Sequence, residues 1–163
     1  MAESAPTRAE RGESRFVYAT FIRTTRAKLW QALREPEFTR RYWVETWQDC
    51  GWKQGDSWKL MIPDGRIGDQ GEVLEIETER RLVLSWRNEF QPGLKSEGFS
   101  KLTIELEDAG DAVKLTLVHE APIPDSKLIE AVSGGWPMIL ASLKSLLETG
   151  ESLEQTRRWP SGL

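Results

Sequence analysis

Cysteine and histidine are nearly absent from this 163-residue chain, which has one of each, Cys50 and His119. A lone cysteine excludes an internal disulfide, and the two residues together cannot supply a Cys- or His-built zinc site. Basic residues are not in excess: 22 Lys and Arg against 26 Asp and Glu give a net charge of −4, the wrong sign for a nucleic-acid surface. No apolar run reaches the roughly 18 residues of a membrane span. Residues 1–12 hold no apolar segment of the signal-peptide kind, so the expected setting is cytoplasmic, with no membrane partner. Gly134-Gly135 lacks the spacing and the following Lys of a phosphate loop, and nothing else asks for a cofactor. The expected use of that pair is close approach of a helix to a sheet.

What is present fits one ordinary globular core: 39% hydrophobic and 29% charged residues, at a length that needs no covalent staple. Tryptophan is the exception, with eight copies. An indole N–H is seldom buried without a partner, so some of these rings are expected to edge a pocket that contains polar groups.

Residues 1–14 are small, polar or charged, and read as a flexible arm; 15–150 read as the folded domain and 151–163 as a loosely held tail. Residues 16–23 are β-branched and aromatic, as a strand requires, and Thr24-Thr25 can cap a helix bearing Leu29, Trp30 and Leu33. Pro36 ends that helix and starts a second one running to Trp43. Alternation then marks strands at Trp58, Leu60 and Ile62; at Val73, Leu74 and Ile76; and at Leu82, Leu84 and Trp86, the first two joined by an Asp64-Gly65 turn. Residues 88–98, with Pro92, Gly93 and Gly98, read as a long loop. Leu102, Ile104 and Leu106 pair with Val113, Leu115 and Leu117 around Gly110. Asp125 or Ser126 can cap a long last helix whose stripe includes Leu128, Val132, Trp136, Leu140 and Leu143, with a kink or restart near Ser133 imposed by Pro137 and a stop at Gly150.

Strand, two short helices, six antiparallel strands and a long helix is an order that resembles the activator-of-heat-shock-ATPase-like branch of the SRPBCC superfamily, which has the START and birch-pollen-allergen-like helix-grip fold. The matching segments are residues 22–33, Trp43, Gly51-Trp52-Lys53-Gln54-Gly55, Asp64-Gly65, Gly71-Glu72-Val73-Leu74-Glu75-Ile76, Arg80 to Trp86, Leu115 to Glu120, and Gly135-Trp136 before a Leu-rich helix. The resemblance covers about residues 15 to 150. It implies an α+β fold in which a curved antiparallel seven-stranded sheet wraps the C-terminal helix, with two short helices between strands 1 and 2 and a cavity between sheet and helix.

Within that frame, Trp30, Trp86 and Trp136 lie on apolar faces, and core packing competes with pocket lining for them. Trp43, Trp47 and Trp58 fall where the second helix meets the sheet, near the expected mouth. His119 shares the parity of Val113, Leu115 and Leu117, so its ring points inward, either as a core histidine bonded to a carbonyl or Ser, or as a ligand-binding or proton-transferring group. Cys50 reads as a small hydrophobe or, less simply, as a nucleophile coupled to His119. Asp64, Asp69 and Glu72 bracket a hairpin and suggest a carboxylate site, yet turn geometry is a sufficient explanation, and Glu75, Glu77 and Glu79 share a solvated face. The expected ligand-contacting set is Trp43, Trp47, Trp58, Trp86, His119, Trp136, Phe90 and Phe99, with no metal.

Three functions follow. The first is non-catalytic binding of a small, mostly hydrophobic ligand between sheet and helix. The second, implied by the resemblance, is a chaperone ATPase-activator-like interaction module. The third is a polyketide-cyclase- or hydrolase-type enzyme using His119, with Tyr42 or a carboxylate nearby. Exposed aromatics near the mouth could equally mark a homodimer contact.

Overall fold

The computed structural model describes residues 12–163. Of the arm expected over 1–14, residues 1–11 lie outside the described residues, and Ser14 already belongs to the first strand. The elements are β1 (Ser14–Ile22), α1 (Arg26–Arg34), α2 (Pro36–Tyr42), β2 (Trp47–Cys50), β3 (Ser57–Met61), β4 (Ile67–Glu77), β5 (Arg81–Asn88), α3 (Pro92–Lys95), β6 (Ser100–Ala109), β7 (Ala112–Ala121), α4 (Lys127–Thr149) and a final 3-10 turn at Glu154–Thr156. The strands form one antiparallel seven-stranded sheet in the order β1-β7-β6-β5-β4-β3-β2, with α1 and α2 between β1 and β2. This is the α+β helix-grip arrangement.

Local chemistry sets the ends of the helices. Thr25 accepts the Lys28 N–H at 3.2 Å to cap α1, and Ser126 accepts the Ile129 N–H at 3.1 Å to cap α4. Gly150 takes the left-handed conformation, φ 87°, that closes α4. That helix runs through Ser133 and Pro137 as one element, so of the kink or restart expected there the restart does not occur. The 88–98 loop contains a one-turn helix, α3, and the strand that alternation does not locate is β2, only four residues long.

Alternation sorts the sheet into two faces. Along β7, Val113, Leu115, Leu117, His119 and Ala121 point to the core; on β5, Leu82, Leu84, Trp86 and Asn88 do the same. β4 passes close against β5 at Gly71, where a Cβ would stand 1.8 Å from the Ser85 carbonyl oxygen, so only glycine allows that approach. α4 lies across the concave face and buries Leu128, Trp136, Leu140, Leu143 and Leu146.

The 151–163 segment is fastened rather than loose. Thr156 is buried; its hydroxyl meets Ser142 Oγ of α4 at 2.6 Å, and its carbonyl accepts the Val44 N–H at 2.8 Å. Val44 has φ 44° and Glu45 φ 64°, a conformation that costs a β-branched residue about 1–2 kcal/mol. The tail thus holds a strained turn directly behind Trp43.

Candidate functional site

The concave face collects an aromatic cluster. Trp86 of β5 lies 4.5 Å from Trp58, 6.2 Å from Trp43, 5.7 Å from Trp136 and 5.4 Å from His119, measured between ring centroids. Trp43 and Trp136 are 5.2 Å apart. Such pairs contribute on the order of 0.5–1.5 kcal/mol each beyond their buried area. Polar ends are matched: Trp58 Nε1 donates to Gln48 Oε1 at 2.9 Å, and Gln48 Nε2 donates to the Leu33 carbonyl at 2.6 Å.

His119 is fully buried and uses both ring nitrogens. Nδ1 accepts from Trp136 Nε1 at 3.1 Å, and Nε2 lies 2.8 Å from Ser100 Oγ. An indole only donates, so Nδ1 is bare. The Ser100 hydroxyl hydrogen goes to the Trp86 carbonyl at 3.0 Å, so Ser100 must accept from His119 Nε2–H. Both constraints select the same neutral tautomer, and burial lowers the ring's pKa to about 3. His119 is a linchpin between β6, β7 and α4 with no lone pair left for proton transfer.

The space between sheet and α4 divides in two. The deep chamber, walled by Leu33, Tyr42, Leu84 and Ile104, keeps only about 20 Å3, room for about one water. Beyond Trp43, Trp86 and Trp136, a groove of about 200 Å3 opens toward α3, bounded by Leu60, Leu94, Leu128, Val132 and Gly135. Its polar side is Asp69, Asn88 and Gln91. A larger depression of about 470 Å3 lies elsewhere, around Ser57, Gln70, Glu72 and Phe99, but none of its lining residues is buried.

Asp69 is the unusual group. It is 8% exposed, and Oδ1 takes both of its hydrogen bonds, from Trp86 Nε1 at 2.9 Å and Asn88 Nδ2 at 3.2 Å. No side chain among the described residues bonds Oδ2, yet no fully occluded side-chain oxygen goes unpaired, so Oδ2 opens on the groove. Burial pushes the carboxyl up to about 7, against the pull of the two hydrogen bonds. Asp69 is the single ionisable group lining the groove among the described residues.

A family model described as "Activator of Hsp90 ATPase homolog 1-like protein" matches residues 23–148. The chain belongs to that family. Among solved structures, protein MLL2253 from Mesorhizobium loti is similar at 22% identity and a TM-score of 0.70, covering 83% of this chain and 97% of that one. CalU16 from Micromonospora echinospora is similar at 22% identity and 0.67, covering 87% and 78%. The Aha1 dimer from Colwellia psychrerythraea is similar at 15% identity and 0.69, covering 85% and 99%. These identities establish the fold alone. No curated protein matches the sequence.

In this member of the Hsp90-ATPase-activator-like family, five of the eight expected site residues meet: Trp43, Trp58, Trp86, His119 and Trp136. Only Trp43, Trp86 and Trp136 also line the groove; Trp58 and His119 lie behind them. Three stand apart. Trp47 sits on edge strand β2 beneath the Arg40 guanidinium, 5.5 Å away; Phe90 packs on Trp159 at 5.8 Å; and Phe99 is 47% exposed beside Arg87.

The alternative chemistries do not assemble. Cys50 on β2 and His119 on β7 stand five strands apart in the sheet order, and both His119 ring nitrogens are taken by Trp136 and Ser100, which leaves none to activate the Cys50 thiol. Tyr42 is buried, donates to the Ala32 carbonyl at 2.8 Å, and has its pKa raised by burial. The close approach expected at Gly134 and Gly135 is not made: an added Cβ at either would meet nothing within 4 Å. The residue that sequence reasoning sets aside is Asp69, which it assigns with Asp64 and Glu72 to hairpin chemistry. Its signal is parity, since Asp69, Gly71 and Val73 fall on one face of β4, but a register shift between Val73 and Glu75 reverses that parity and hides it. No helix among the described residues is long and apolar enough to cross a membrane.

Proposed function

We propose that the protein binds a small, mostly apolar ligand in the groove between α3, α4 and β3–β5, without catalysing a reaction on it. The supporting observation is the meeting of an aromatic and aliphatic wall with one buried, partly unpartnered carboxylate. Ligand sites of this kind are apolar clefts with a few placed polar groups. The groove's 200 Å3 suits a single ring with a short chain, rather than the lipid- or polyketide-sized guests that a roomier cavity would take. His119, with both nitrogens committed, supports binding over His-based acid–base catalysis.

Gly135 offers the test. It lines the groove from within α4, so a leucine there fills the space without striking backbone. Native mass spectrometry and Trp fluorescence titrations with a panel of small ring compounds are expected to show saturable binding by the native chain and none by Gly135→Leu with an unchanged melt. Equal binding by both would contradict the groove.

A chaperone-interaction reading draws on the family description, and a homodimer reading on the dimer named for the Colwellia relative. An increased Hsp90 ATPase rate on adding the chain would favour the first; a doubled mass in solution would favour the second.

A further inference from the structure

A buried carboxylate needs a partner of opposite charge or a full set of hydrogen bonds. Asp69 has neither among the described residues. Its two donors fall on one oxygen, and the other opens on the groove. The nearby cations are otherwise engaged: Arg87 and Lys95 both bind Glu89, at 2.6 and 3.0 Å. Glu89 is itself an anion and acts on Asp69 with the same sign. Among the described residues, the elements packed around Asp69 add no positive charge to the groove: β3 presents Leu60, α3 presents Leu94, and α4 presents Leu128, Val132, Gly135 and Trp136.

Three tryptophans line the same space. Aromatic rings attract a cation held within about 6 Å of their centroids, most strongly where water is excluded. An anion would meet the Asp69 charge and, among the described residues, no cation lining the groove. A neutral guest would leave a carboxylate oxygen without its ion partner.

We propose that the groove selects a compact organic cation, its ammonium group set against Asp69 Oδ2 and the rings of Trp43, Trp86 and Trp136, and its hydrocarbon body against Leu60, Leu94 and Val132. This rests on the groove being a ligand site and specifies the class of guest. The elevated pKa of Asp69 agrees with it, because the folded chain alone does not stabilise the anion and an incoming cation does.

The test is a matched set of one molecular frame in three charge states: phenethylamine, 2-phenylethanol and phenylacetate, each titrated at pH 8 while indole N–H cross-peaks are followed by NMR. The expected result is binding of the amine at least tenfold tighter than the alcohol, with phenylacetate weakest, and shifts concentrated in the Trp86 indole. In Asp69→Asn, which keeps an acceptor for Trp86 Nε1, the amine-to-alcohol ratio is expected to fall to about one while the alcohol still binds. Equal binding of amine and alcohol by the native chain, tightest binding of phenylacetate, or a ratio that survives Asp69→Asn would overturn the cation assignment and leave the groove as a site. Failure of all three to bind the native chain would overturn both readings. The native charge series decides the matter even if the variant misfolds.

Discussion

Nε1 of Trp86 donates to Oδ1 of Asp69 across 2.9 Å, so the ring at the centre of the aromatic cluster ends on the ionisable group that faces the groove. A change of charge at Asp69 therefore acts directly on the ring that packs against Trp43, Trp58, Trp136 and His119.

Asp69 and His119 impose opposite pH dependences. Asp69 rises from an ordinary 3.8 to about 7 on folding, so between these values the folded chain holds a proton that the unfolded chain releases, and stability falls as pH rises. His119 drops from 6.5 to about 3, so the unfolded chain holds the extra proton and stability rises with pH. Each slope is at most about 1.4 kcal/mol per pH unit, and they nearly cancel between pH 5 and 6.5. Urea unfolding of the native chain is expected to vary little across that range. Asp69→Asn, with only the His119 slope left, should gain about 1.5 kcal/mol from pH 5 to 6.5; a flat profile in the variant would refute the pairing.

The glycines separate into two kinds. Gly134→Ala and Gly135→Ala add a Cβ to open space in a helix and should each stabilise by about 0.5–1 kcal/mol. Gly71→Ala drives a Cβ into the Ser85 carbonyl and should cost about 3 kcal/mol or more. Thermal melts of the three variants measure the contrast.

His119 should not titrate between pH 5 and 8, and long-range 15N spectra should show the Nε2–H tautomer throughout. His119→Phe leaves the buried Trp136 indole N–H without its acceptor and should cost about 2–3 kcal/mol in denaturant unfolding.

Much of this was legible because strand parity and capping are local. Parity turns His119 inward, and Thr25, Ser126 and Gly150 declare the helix ends from their own chemistry. What the sequence hides depends on register. β2 is too short to alternate visibly, the shift after Val73 masks Asp69, and the pairing of Thr156 with Ser142 joins positions whose contact no periodicity encodes. Phe90, Phe99 and Trp47 illustrate a different limit: aromatic character does not say which side of the sheet a ring occupies.

The tail contributes to the fold through Thr156. Thr156→Val removes its hydroxyl bond to Ser142 and should cost about 1–2 kcal/mol. Deleting 152–163 also frees the strained Val44 turn, and near-ultraviolet circular dichroism should register the loosening of Trp43.

The most direct measurement is the 13C titration of the Asp69 carboxyl carbon, free and with phenethylamine. The expected midpoint is about 7 in the free protein, moving down by at least one pH unit when the amine binds, because the cation favours the carboxylate. A midpoint near 3.8 in the free protein, or one that the amine leaves in place, would contradict a groove built around an unpaired acid.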